Sequence, residues 1–142
     1  MQLALPVPGG TLPVTVRAPE GPPSTAVIVV QEAFGVTDHI ADVAGRLAAA
    51  GHLALAPHLF HRTGDPDLGY DDLQAIWPHF SALTAEGIAA DLDACLSHLA
   101  AQGVGPGAVG VVGFCMGGTV ALAEAARLPL GAAVTFYGGG VA

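Results

Sequence analysis

The run Val109-Gly110-Val111-Val112 passes straight into Gly113-Phe114-Cys115-Met116-Gly117-Gly118, and from Gly117 to Leu128 the residues take on helical spacing. Few folds turn a strand into a helix with no linker between them. So tight a turn crowds the backbone, and glycines two residues to either side of Cys115 leave the room it needs. The strand is apolar throughout, as in a parallel sheet covered on both faces. The side chain at the apex would then project over the carboxyl ends of the strands, where open α/β sheets hold ligands.

The rest of the chain repeats the alternation. Leu12 to Ala18 alternates and stops at Pro19, which predicts an edge strand. Ala26 to Val30 is a continuous β-branched run. Ile40, Val43, Leu47 and Ala48 recur at helical spacing over Asp38 to Ala50, with Thr37 placed to cap the start and Gly51 the end. Leu53 to Ala56 reads as a strand stopped by Pro57, and 58–70 as a polar loop. A short helix is expected near Asp72 to Phe80, interrupted by Pro78. Ile88, Leu92, Cys95, Leu96 and Leu99 form one stripe of a helix from Glu86 to Ala101, and Ala132 to Phe136 is a last strand. The fold class expected is α/β, a mostly parallel sheet between helical layers.

Charge and composition exclude several functions. The net charge is −8, there is no lysine, and Arg17, Arg46, Arg62 and Arg127 do not cluster, so nucleic acid is not an expected partner. A Walker phosphate loop is ruled out by its missing lysine. Gly105-Pro106-Gly107-Ala108-Val109-Gly110 matches a dinucleotide fingerprint in letters only, since it precedes a strand instead of following one. Two cysteines make no disulfide framework, and the opening residues, cut by Pro6 and Pro8, lack the basic start of a secretory signal. No apolar run reaches the ~18 residues of a membrane span. These points together predict a cytoplasmic protein with no membrane partner.

Two positions carry candidate chemistry. Cys115 occupies the serine place of the G-x-S-x-G elbow. The helix N-terminus behind it favours a thiolate, and the free N–H of Met116 points where an oxyanion would form. A buried cysteine in a tight turn is the plainer alternative. Cys95, on the apolar stripe of its helix, reads as core. Glu32 ends an apolar strand and is either a solvated strand end or part of a site.

Gln31-Glu32-Ala33-Phe34-Gly35-Val36, Ala54-Leu55-Ala56-Pro57 with Leu59-Phe60, Gly113-Phe114-Cys115-Met116-Gly117-Gly118 and Phe136-Tyr137-Gly138 occur in that order. The set resembles the dienelactone hydrolase family of α/β-hydrolases over nearly the whole chain. The resemblance implies a small ester or enol-lactone as substrate and Cys115 as nucleophile. It implies that Glu32 contacts the resting thiol and helps deprotonate it, and that the backbone N–H groups of Ala33 and Met116 form the oxyanion hole. Phe34, Trp77 and Tyr137 would line the pocket, although ordinary core or rim aromatics describe the last two as well. No cofactor and no metal are implied.

The chain also departs from that pattern. A triad of this fold runs nucleophile, acid, histidine in chain order. The 27 residues after Cys115 hold no histidine and no aspartate. Their one acid, Glu124, lies nine residues on, ~13 Å along the helix at 1.5 Å per residue. The chain is therefore expected to be an N-terminal portion of such an enzyme, one truncated domain over 1–142. The alternative function is a catalytically incompetent fragment. Its last strand would leave an uncovered edge open to self-association. Family enzymes hold a substrate carboxylate with arginine; Asp71 to Phe80 offers none, and Arg62 is a loose candidate. A metal module built from His52, His58 and His61, with Asp65, is a third reading, but its spacing matches no familiar zinc pattern.

Overall fold

A computed structural model describes residues 1–139. Six strands, β1 (Gln2–Val7), β2 (Gly10–Arg17), β3 (Ala26–Val30), β4 (Leu53–Pro57), β5 (Val109–Phe114) and β6 (Ala132–Phe136), form one sheet in the order β1-β2-β4-β3-β5-β6. The β4-β3, β3-β5 and β5-β6 pairs are parallel; β1 and β2 run antiparallel. The helices are α1 (Asp38–Ala49), α2 (Trp77–Phe80), α3 (Ala85–Ala101) and α4 (Met116–Arg127).

Residue alternation assigns the layers. Ala26, Ile28 and Val30 of β3 and Leu53 and Leu55 of β4 face one side and join Leu92, Cys95, Leu99, Val120 and Ala121 of α3 and α4. Val29, Ala54 and Ala56 face the other and meet Ile40, Val43 and Ala44 of α1. The small side chains on both partners there let α1 lie close to the sheet. Thr37 and Thr84 cap α1 and α3 by accepting from the N–H groups of Ile40 and Gly87.

Two local expectations are corrected. Leu12 to Ala18 is not an edge strand, because Gln2–Val7 pairs along its outer side and shields it. Pro6 falls within β1, which is the sheet edge, where a missing donor costs no ladder bond. Pro78 does not interrupt a helix either. A 3₁₀ turn over Leu73–Ile76 ends, and α2 starts at Trp77 with the proline in its first turn, where no N–H is needed.

Candidate active site

The register of the central strands sets the site. Val30 of β3 pairs with Gly113 of β5. Glu32 and Cys115 each lie two residues beyond that pair, so they emerge side by side at the carboxyl rim. Cys115 is exposed and has φ 56 and ψ −120, a conformation costing a non-glycine residue about 1–3 kcal/mol. Among the described residues the other non-glycine positions with left-handed φ are Asp65 and Tyr137, both in loops that follow strands at this same rim.

Close backbone packing holds the elbow in place. A Cβ on Gly113 would fall on the carbonyl of Gly117, and one on Gly117 would fall on the carbonyls of Val30 and Gln31. The Cys115 N–H donates to the Phe136 carbonyl at 3.0 Å, and the Cys115 carbonyl accepts from Gly118 at 2.9 Å. The amides of Met116, first in α4, and of Ala33, in the turn after β3, find no acceptor among the described residues. Both amides lie at the ends of the adjacent strands β3 and β5, and free backbone donors of this kind can receive a developing negative charge.

Glu32 is half-buried. Its Oε1 is shielded and has no hydrogen-bond partner, while its Oε2 accepts from the Tyr137 hydroxyl at 3.2 Å. No hydrogen bond joins Glu32 to the Cys115 thiol among the described residues. Loss of water first, then the Glu32 charge and its hydrogen bond, raise the Tyr137 phenol above its ordinary value, with smaller contributions from Cys115 and Tyr70. Tyr137 therefore stays a donor at neutral pH, and Cys115, Glu32, Tyr137 and Tyr70 share one electrostatic neighbourhood. Phe34 packs on Tyr70 with ring centres 4.4 Å apart. Trp77 stands apart on α2, 67% exposed and stacked on Phe80.

Three arrangements around the site gave no clear signal in the sequence. Gln31 is fully buried; its Oε1 accepts from the Leu59 N–H at 2.8 Å and its Nε2 donates to the Glu32 carbonyl at 3.2 Å, tying the end of β3 to the chain after β4. A buried glutamine ending an apolar strand was the one hint available. Second, His58 lies between Asp65, at 2.8 Å from Nδ1, and Thr15 Oγ1, at 2.8 Å from Nε2. In the neutral ring Nδ1–H donates to Asp65 and Nε2 accepts the Thr15 hydroxyl, which itself accepts from Gln2. Third, buried Asp91 of α3 accepts both guanidinium arms of Arg62, at 2.9 and 3.0 Å, and His61 Nε2 at 3.1 Å. Such pairs are set by distant segments, which local spacing does not encode.

These contacts also place the remaining candidates. His52 bonds Thr25, so the three histidines of the metal reading go to three separate partners. No group of three potential ligands converges among the described residues. His58 follows β4, two strand spacings or ~10 Å from the strand carrying Cys115, and both its ring nitrogens are engaged. Glu124 is buried and accepts from Arg127 at 2.8 Å, far from the elbow. Cys95 is fully buried, and burial, then the charge of Asp91, pushes its thiol up to about 12.

Known proteins are similar to this chain. A model of the dienelactone hydrolase family matches residues 12–142. A protein of Methylorubrum extorquens, provisionally named a carboxymethylenebutenolidase, is 36% identical over 96% of this chain and 48% of its own. One of the same provisional name from Escherichia coli K12 is 41% identical over 82% of this chain and 43% of its own. A crystal structure from Klebsiella pneumoniae, provisionally named a dienelactone hydrolase, superposes with a TM-score of 0.88 at 37% identity, over 97% of this chain and 59% of that one. The chain spans about half the length of the curated relatives it matches.

Proposed function

The chain belongs to the dienelactone hydrolase family, and on that premise we propose that it cleaves carboxylic esters or enol-lactones with Cys115 as nucleophile. The observation that carries the reading is the exposed Cys115 on its strained elbow, at the strand end next to that of Glu32, with two free backbone donors at the same rim. The thiol proton passes to Glu32, whose Oε1 lacks a partner. The thiolate sulfur bonds to the carbonyl carbon, and the carbonyl π electrons move onto oxygen, which the Ala33 and Met116 N–H groups receive. Collapse of this intermediate breaks the ester C–O bond. The leaving oxygen takes the proton back, and a Cys115 thioester is left.

Water must then hydrolyse the thioester, and that step needs a base. Among the described residues no hydrogen bond joins a histidine to Cys115 or Glu32, and His39, whose ring packs edge-on to Phe114 at 5.9 Å, makes none to either. For the 142-residue chain the reading is therefore acylation followed by slow release. A cytoplasmic place of action is part of it, because an exposed free thiol survives in a reducing compartment. No helix among the described residues is long and apolar enough to cross a membrane.

The test is stopped-flow release of p-nitrophenol from p-nitrophenyl acetate. The expected result is one burst, close to one equivalent, lost in Cys115→Ala, followed by turnover on the order of 10³-fold or more below an intact triad enzyme. A burst that persists in Cys115→Ala would overturn the nucleophile. Sustained fast turnover would show that a base is supplied after all.

A further inference from the structure

We propose that Gln31 is a positioning residue for the reaction, and that its buried amide fixes the direction of the Ala33 N–H as an oxyanion donor. The inference rests on the reading of Cys115 as nucleophile and of Ala33 as one of its donors. The Ala33 N–H belongs to the same peptide group as the Glu32 carbonyl. That group is planar and trans, so its C=O and N–H bonds point in opposite directions. Whatever holds the carbonyl therefore holds the donor. The Glu32 carbonyl accepts twice. Gln31 Nε2 donates to it at 3.2 Å, and the Gly35 N–H donates at 3.3 Å across a tight turn in which Gly35 has φ 94. Both bonds are long, and either one alone would leave the peptide plane free to rock about its Cα–Cα axis. Together they restrain it.

Gln31 can act as an anchor because it is itself held from two sides. Its side chain is fully buried, and its Oε1 accepts from the Leu59 N–H at 2.8 Å, in the buried stretch after β4. Its backbone carbonyl lies against Gly117 of the elbow, where no Cβ fits. The end of β3 is thus braced by the chain after β4 on one side and by the start of α4 on the other. A neutral amide accepts at one atom and donates at the other; an ionised glutamate of the same shape has no donor, and methionine has neither group. Satisfying the Leu59 N–H needs only Oε1. The Nε2 bond to the Glu32 carbonyl is the part that reaches the site. Oxyanion donors act by being in place before the charge forms, so their direction enters the rate directly.

Two reactions of Cys115 separate this role from a merely structural one. Acylation by p-nitrophenyl acetate builds negative charge on the carbonyl oxygen. Alkylation by iodoacetamide displaces iodide from a saturated carbon and builds none there. Both consume the thiolate, so the ratio of acylation rate to alkylation rate cancels any change in thiol ionisation. Gln31→Met in the full chain keeps the volume and loses both bonds. It is expected to lower acylation roughly 10- to 100-fold while alkylation stays within about twofold. Thr84→Ala, which loses the cap of α3, serves as a destabilised control and is expected to keep the unsubstituted ratio. If Gln31→Met does not fold, Gln31→Glu is read in its place, since it keeps the shape and the acceptor for Leu59, and the same fall in the ratio is expected. An unchanged ratio in the folded variant would overturn the proposal. So would equal losses in both reactions, which would assign Gln31 to the packing of the rim. A burst that persists in Cys115→Ala would instead remove the nucleophile reading on which the proposal stands.

Discussion

The two thiols of this chain differ in the walls around them. Cys115 stands exposed at a helix N-terminus, whereas Cys95 is sealed between α3 and the sheet. Limited iodoacetamide is therefore expected to modify Cys115 and spare Cys95; preferential labelling of Cys95 would contradict the packing described. Burial also makes Cys95 a source of pH-dependent stability. Its folded pKa of about 12 exceeds the ordinary 9.0, so the unfolded chain loses this proton first. The contribution is complete below pH 9 and disappears as pH rises towards 12, with a slope of at most ~1.4 kcal/mol per unit. Urea melts between pH 8 and 10.5 are expected to show stability falling with pH, and a smaller slope in Cys95→Ala.

At the scale of elements, two junctions hold the rim together. The elbow is one. Gly117→Ala would drive a Cβ onto the carbonyls of Val30 and Gln31, with no flexible side chain to give way. A loss of ~3 kcal/mol or more, or failure to fold, is expected, measured by denaturant melts against Gly107→Ala, whose surroundings are open. The second is Asp91, which fastens the loop after β4 to α3 through Arg62 and His61. Removing one partner of a buried pair strands the other. Because the Arg62 side chain is 37% exposed, Asp91→Ala is expected to cost ~2–3 kcal/mol instead of the full price of a sealed pair. An effect below ~0.5 kcal/mol would mean that water replaces the contact freely.

For the whole molecule, the open side of the sheet matters most. β6 is an edge among the described residues, and Val134 and Phe136 remain 48% and 46% exposed. The Phe136 ring stacks on Phe114 at 5.1 Å, so the exposed apolar surface continues onto β5. Edge strands with apolar faces pair readily with a second copy. Sedimentation of the 142-residue chain is expected to show association that grows with concentration and weakens in Phe136→Glu; a monomer at all concentrations would contradict this. How far such features were legible in advance follows their range. The α/β class, the strand–turn–helix elbow at Cys115 and the place of Glu32 at a strand end could be read from runs of residues, because period, glycine spacing and strand ends are local. The pairing of Gln2–Val7 outside β2 could not, because two prolines obscure a strand whose identity depends on its neighbour. Gln31 accepts from Leu59 across 28 residues, the partners of His58 and Asp91 lie 7 to 43 residues away, and Tyr137 reaches Glu32 across 105. Sequence alone determined which groups stand at the strand ends, since backbone geometry there needs those residue types. Only the tertiary structure decided which charges are tied off and by which partners, because hydrogen bonds and ion pairs are chosen by proximity in space.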